Sequence, residues 1–311
     1  VHSKIHYDFI KNRNLFFIGS ILITLVGLVM LVIATVSPKV DFLHYGVDFK
    51  AGTTIDLTIG KSVEKAEVEK LFEDAGYKPS VLTIGGNNDR VSARFDETLN
   101  DDSVKQVTGA FTQTYGDQVS TEVSAVSPDM ATEMGRKAIM AVAIASLCIC
   151  LYVTIRFEWR FAVAAIITIL YDAFFVLSIF SIFRFEVDLP FVAAVLTTIG
   201  YSINDKIVIL DRIRENMRFA KVKTEQDLAD VVNHSIWQTM GRSINTVVTV
   251  LFAAVSLFIF GSEAIKLFAL AKIFGLVSGV YSSICLATPL WYLLRKRKIG
   301  PSQKPVLTTN P

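Results

Sequence analysis

Histidine and cysteine are scarce in this chain. Its 311 residues include four histidines (His2, His6, His44 and His234) and three cysteines. The histidines are too scattered to assemble a metal site. Cys148, Cys150 and Cys285 all sit in apolar stretches, away from the segments a disulfide framework would staple, so they read as small packing residues. No G-x-x-x-x-G-K-[ST] loop is present, which excludes an ATPase of the chain's own. No hydrolase nucleophile constellation is found either. Transport work by this chain would draw on an ion gradient or on a partner.

Charge is also missing, and its absence is patterned. None occurs from Asn14 to Pro38, from Ala138 to Ile155, from Leu189 to Asn204 or from Ser243 to Ser262. Between Phe161 and Phe183 there is only Asp172, and between Leu267 and Leu294 only Lys272. A bilayer core needs about 20 predominantly apolar residues per helix, so these are six candidate spans. A soluble globular protein, a secreted disulfide scaffold and a disordered chain are excluded. The first uncharged run is too long for a cleavable signal sequence and reads as an uncleaved anchor.

The net charge of +2 hides a division. Residues 38–135 carry a net −8 and the remainder +10. Lys4, Lys11, Arg13, Arg156, Arg160, the run from Arg212 to Lys223, Arg242 and the Arg295–Lys298 cluster all fall on one side of the spans. The positive-inside rule puts that side, with both termini, in the cytoplasm. The expected layout is a cytoplasmic N-terminus with helix 1 (1–37), an extracytoplasmic domain (38–135), transmembrane helices 2–6 (136–294) and a basic cytoplasmic tail (295–311).

The acidic segment has the pattern of a folded domain. Ile55–Ile59 alternates like a strand, Val63–Ala75 has helical spacing, and Gly76 is placed to end that helix. Val81–Ile84 and Val91–Phe95 read as strands around the Gly85-Gly86-Asn87-Asn88 turn. Val104 to Phe111 marks a second helix and Val119–Val126 a last strand. The order β-α-β-β-α-β predicts a ferredoxin-like α+β domain, expected to serve as a docking or conformational module. In the cytoplasmic stretch, Thr224–Gln238 reads either as an interfacial amphipathic helix or as an ordinary connecting helix.

Ionisable groups inside spans are costly and mark function by default. Asp205 lies in the cytoplasmic half of the fourth span, and Thr198, Ser202 and Asp205 share one helix face. It reads as a proton-handling acid, or as one that simply reaches interfacial water. Arg242, followed by Asn245, Thr246 and Thr249, is either an ion partner for Asp205 or a snorkelling residue. Asp172 is the most deeply placed acid, on the proton path or in a structural hydrogen bond. Lys272 is expected to snorkel outward. Gly275, Gly279 and Ser283 form a small-xxx-small face for close helix packing.

Several of these segments resemble one family. Gly46-Val47-Asp48-Phe49-Lys50-Ala51-Gly52-Thr53 resembles the G-[IV]-D-F-x-G-G-T motif of the SecD/SecF export proteins. Ile199-Gly200-Tyr201-Ser202-Ile203-Asn204-Asp205, running on to Asp211-Arg212-Ile213-Arg214-Glu215-Asn216, is similar to the fourth-span signature of the SecF branch. Arg156–Arg160, Tyr171-Asp172, Arg242–Thr246 and Gly279–Ile284 fit the same family. Two residues depart from it: Ala51, where glycine is usual and a methyl fits only if φ stays negative, and Lys272, where an apolar residue is expected.

The resemblance implies a six-helix half of the RND superfamily in the bacterial cytoplasmic membrane, pairing with SecD as a separate or fused chain. It implies association with the SecYEG channel, after SecA has pushed the preprotein in, and use of the proton-motive force to draw it out. Protons would be the coupling ion, with no other cofactor and no nucleic-acid partner. It assigns proton conduction to Asp205 and Arg242, with Asp172 a further candidate and Ser202, Asn204, Asn245 and Thr246 as supporting polar residues. Asp48, Phe49, Gly52 and Thr53 carry the motif of the extracytoplasmic domain. Two other functions compete. One is half of a proton-coupled small-solute exporter, although such pumps carry two six-span halves. The other is a non-transporting scaffold, which leaves the intramembrane acids unexplained.

Overall fold

The computed structural model describes residues 7–36, 42–85, 88–116 and 118–296. The expected basic tail beyond Lys296, the six residues preceding Tyr7 and the Gly86-Asn87 tip of the hairpin turn lie outside them.

Six helical segments are long and apolar enough to cross a membrane. The first is α1 (Arg13–Val36). A short strand β1 (His44–Tyr45) and a single turn α2 (Val47–Lys50) then lead into the α+β domain. That domain runs β2 (Gly52–Thr58), α3 (Lys65–Asp74), β3 (Val81–Gly85), β4 (Arg90–Phe95), α4 (Asp101–Tyr115) and β5 (Ser120–Val126). The sheet order is β3-β4-β2-β5, antiparallel throughout. This is the split βαβ arrangement predicted from the hydrophobic pattern. Alternate strand residues Ile55, Leu57, Val91, Ala93 and Phe95 face Val68, Phe72, Val107 and Phe111 of the two helices, forming one small core. Asn100 caps α4 by accepting from the Ser103 N–H at 2.8 Å, and Gly76, at φ +84°, ends α3.

The other spans are α5 (Pro128–Arg156), α6 (Trp159–Phe183), α7 (Leu189–Phe219) and α8 (Glu225–Phe260). The last is built from α9 (Glu263–Ser282), a π-helical turn (Ser283–Ala287) and α10 (Thr288–Lys296). A two-residue strand β6 (Glu186–Val187), between α6 and α7, pairs in parallel with β1. In the first, second and fifth spans only 11% of the most apolar stretch is buried, against 44%, 39% and 56% in the third, fourth and sixth. The core of the bundle is therefore α6, α7 and α9. Gly275 lets α9 approach α7 closely, because a Cβ there would collide with the Thr198 side chain on α7, while one on Gly279 would touch Ser202. The small-residue face is thus a packing face, as expected.

Thr224–Gln238 does not form a separate interfacial helix. It is the first part of α8, opened by a capping box in which Thr224 Oγ1 accepts from the Asp227 N–H and the Asp227 carboxylate accepts from the Thr224 N–H. Its apolar residues Leu228, Val232 and Ile236 pack into the bundle end with Ile213 and Trp291. The face that a lipid surface could have taken is used by protein.

Ala51 departs from expectation. Its φ is +65° with ψ 159°, not negative, in a region that L residues adopt at a cost of about 1–3 kcal/mol. The reason is the tight reversal between α2 and β2. The next residue, Gly52, has φ +138°, and a Cβ there would strike the Phe95 carbonyl oxygen. The turn demands glycine-like backbone at both positions and receives it at one.

Candidate functional site: two acids on either side of one helix

α7 brings Ser202, Asp205 and Lys206 into the bundle. Ser202 and Lys206, four residues apart, point toward α6 and α9, while Asp205 turns toward α8. Two polar environments therefore flank the helix, and Ser202 borders both.

On the first side, Asp172 of α6 is completely buried. Its Oδ2 accepts from Lys206 Nζ at 2.7 Å, from Ser282 Oγ at 2.7 Å and from Ser202 Oγ. Its Oδ1 accepts from Ser278 Oγ at 2.7 Å. Lys206 is equally buried, and its ammonium donates also to Ser282 Oγ at 2.9 Å and to Ser202 Oγ. The three donors of the ammonium thus have three acceptors, and both carboxylate oxygens are occupied. A buried charge pair persists where hydrogen bonds complete it, and here three serines do so.

On the second side, Asp205 is half-buried and its Oδ2 has no hydrogen-bond partner. It lines a small recess of ≈ 20 Å³ with Thr198, Tyr201, Asn204, Thr246 and Gly275, where α7, α8 and α9 meet. The Ser243 and Ser283 hydroxyls lie beside the carboxylate as donors, and Lys206 and Arg242 are in its electrostatic surroundings. Such a recess, with hydroxyls and a carboxylate in its wall, has room for one water-sized molecule.

The structure places the sequence candidates unevenly. Thr198, Ser202 and Asp205 share a face and line the same recess, as the spacing predicts. Asn204 and Thr246 also reach it, both exposed, and Thr246 Oγ1 donates back to the Arg242 carbonyl at 2.8 Å. Asn245 is exposed on α8 and lies outside the recess. Arg242 is exposed too, and among the described residues no ion pair joins it to Asp205. The cation that pairs inside the bundle is Lys206, with Asp172. Lys272 does not snorkel: it is 7% exposed, and its Nζ lies 4.5 Å from the centre of the Tyr201 ring, a cation–π contact that holds the ammonium inside.

Lys206, Ser278 and Ser282 escaped the sequence reading. Their signal was present as two i, i+4 polar pairs, Ser202/Lys206 on α7 and Ser278/Ser282 on α9. The second pair runs beside the glycine stripe that drew attention instead.

The motif before the α+β domain is a joint. Asp48 Oδ2 accepts from the Leu189 N–H, the first of α7, at 3.0 Å. Phe49 packs against the apolar cluster that contains Val187 and Phe191, and Thr53, fully buried, accepts the Leu99 N–H on Oγ1 at 2.8 Å.

Residues 106–297 match the family described as protein export membrane protein SecD/SecF, C-terminal. That match spans more than half of the chain. The chain belongs to the SecD/SecF family. It is 41% identical over 300 residues to the protein translocase subunit SecF of Alicyclobacillus acidocaldarius, covering 95% of each. It is 42% identical over 294 residues to the protein translocase subunit SecDF of Bacillus subtilis, covering 94% of this chain but 39% of that protein. The crystal structure of SecDF from Thermus thermophilus, a translocon-associated membrane protein, superposes with a TM-score of 0.79 at 29% identity, over 94% of this chain and 39% of that one. The chain is thus homologous to SecF and to the SecF part of SecDF. The SecD/SecF fold accounts for the six spans and for the α+β domain between the first two of them.

Proposed function

We propose that this chain is the SecF-type subunit of a protein translocase and, together with a SecD-type half, uses the proton-motive force to assist export. In this reading Asp205 takes up and releases the proton. The observation that carries it is the contrast across α7: Asp172 is closed by four hydrogen-bonding partners, whereas Asp205 keeps a free oxygen in a recess that can admit water. Arg242, in the electrostatic surroundings of Asp205, moves toward it when the carboxylate is charged and away when it is neutral. Asp172 is the fixed end of the device, its charge held by Lys206.

The α+β domain is extracytoplasmic and both termini are cytoplasmic, on the strength of the basic residues gathered at the other ends of the spans. Its partners would be SecD, the SecYEG channel with SecA, and the emerging preprotein. One proton crossing 100 mV supplies about 2.3 kcal/mol, enough to shift a two-state equilibrium tens-fold.

The test is reconstitution with a SecD-type partner in vesicles carrying an imposed proton gradient. Asp205→Asn is expected to insert and assemble normally and to lose gradient-dependent translocation. Wild-type translocation by that variant would end the proposal.

A further inference from the structure

Where the α+β domain meets the bundle, three carboxylates crowd one joint that the intramembrane site does not use. Strand β1 lies beside β6, and the Gly46 N–H donates to the Val187 carbonyl at 3.0 Å. Asp48 of α2 caps α7 in place of Asp188, which occupies the N-cap position but makes no capping bond. Asp188 Oδ1 is instead buried without a hydrogen-bond partner, lying directly over Gly46, where any Cβ would collide with it. Glu186 is held by Arg94 of β4 at 3.1 Å, and Arg94 is 5% exposed. Two elements of the α+β side and the linker ahead of α7 therefore meet on Asp188.

We propose that Asp188 is a proton-operated latch: protonated, it closes the joint between the β1–α2 segment and the start of α7, and ionised, it loosens it. The groups around it are Asp48 from α2, Glu186 from β6 and Arg94 from β4. His44 on β1, with Arg184 and Lys50, belongs to the same electrostatic neighbourhood. A neutral carboxyl has an O–H to donate, and the acceptors beside it are carboxylates. A charged one adds a third like charge to a joint with one buried arginine.

Burial, then the charges of Asp48 and Glu186, push the Asp188 carboxyl up from 3.8 to about 7, with Arg94 opposing. The closed joint therefore binds the proton more tightly than an open, solvated one. The direction follows from linkage. Above about pH 7 both forms are ionised and closure is insensitive to pH. Below it, closure strengthens by up to about tenfold per pH unit until the open form also protonates near 3.8. His44 is shifted the other way, below its ordinary value, by burial, with Glu186 opposing; its protonation in the closed joint would weaken closure, opposite in sign to that of Asp188. On the orientation proposed above, the latch samples external pH. The inference goes beyond the export reading and stands without it, because it is tested on the resting protein.

The experiment is amide hydrogen exchange by mass spectrometry on the full chain in lipid nanodiscs between pH 5 and 8.5. It follows the peptide spanning residues 42–50, corrected for the intrinsic pH dependence of exchange. Protection is expected to be level above pH 7 and to rise several-fold to tenfold per unit below it. Asp188→Asn is expected to be well protected at every pH. An infrared titration of the protonated-carboxyl stretch on wild-type protein reads the same group directly, and the signal should vanish in Asp188→Asn. Wild-type protection that does not change with pH, or a carboxyl signal near pH 7 that survives in Asp188→Asn, would overturn the latch. Neither result would touch the assignment of Asp205.

Discussion

Asp172 and Asp205 sit on neighbouring helices of one bundle and have opposite surroundings. The first is sealed between α6, α7 and α9, with a lysine and three serines on its two oxygens. The second faces α8, a span of which little is buried, across a recess lined by hydroxyls and glycine. Depth alone would have ranked Asp172 as the mobile site. What separates them is the number of committed partners: a carboxylate whose hydrogen bonds are all made holds its neighbours in place, and one with a spare oxygen can change state at little structural cost.

The comparison can be broken most strongly at Lys206. Lys206→Met leaves the Asp172 carboxylate buried without its cation, and a loss of about 3–5 kcal/mol is expected, read as a large drop in thermal stability in detergent. Adding Asp172→Asn should recover most of that loss. A double variant no more stable than the single would mean that the pair is not what holds α6 to α7. A smaller effect is expected from Gly275→Ala, which places a methyl against Thr198 and forces α7 from α9 at about 1–3 kcal/mol. Because both acid environments share α7, this change should disturb stability and transport together. The smallest effect on stability belongs to Asp205→Asn, about 1 kcal/mol or less, since Oδ2 has no hydrogen bond to lose and an amide oxygen can still accept from the neighbouring Ser243 and Ser283 hydroxyls. The same variant should have the largest effect on proton-driven transport. A marked destabilisation would show that Asp205 is a structural residue after all.

Much of the fold was legible because its signals are local. Missing charge marks a span wherever it lies, and the alternation of Ile55 to Ile59 and Val91 to Phe95 reports a two-sided strand without reference to a partner. The site was legible by depth along each helix, not by azimuth around it. Asp205 and Thr246 could be placed at similar levels, and they meet at the recess. Arg242 could be placed at that level too, but the face of α8 that it occupies depends on how the helix rolls against α7 and α9, and it is exposed. The Asp172–Lys206 pair required three helices to converge, and no periodicity in one segment reports that. Lys272 was misread for the same reason: the Tyr201 ring that receives it belongs to another helix. At Ala51 the sign of φ was set by a turn whose shape depends on the Phe95 backbone more than forty residues away.

The capping box of α8 has a mechanical consequence. Opened at Thr224 and unbroken to Phe260, the helix has 36 residues and is about 54 Å long, far more than the ~30 Å of a hydrocarbon core. Its surplus turn holds the entrance of α1: Asn233 Oδ1 accepts the N–H groups of Phe9 and Ile10 at 3.1 and 3.3 Å, and Asn233 Nδ2 donates to Asp8 at 2.7 Å. The segment leading into the first span is thereby tied to the fifth, while the first span itself packs against α6. The anchor of the first span is thus borne by the same helix whose Thr246 and Val247 wall the recess that holds Asp205.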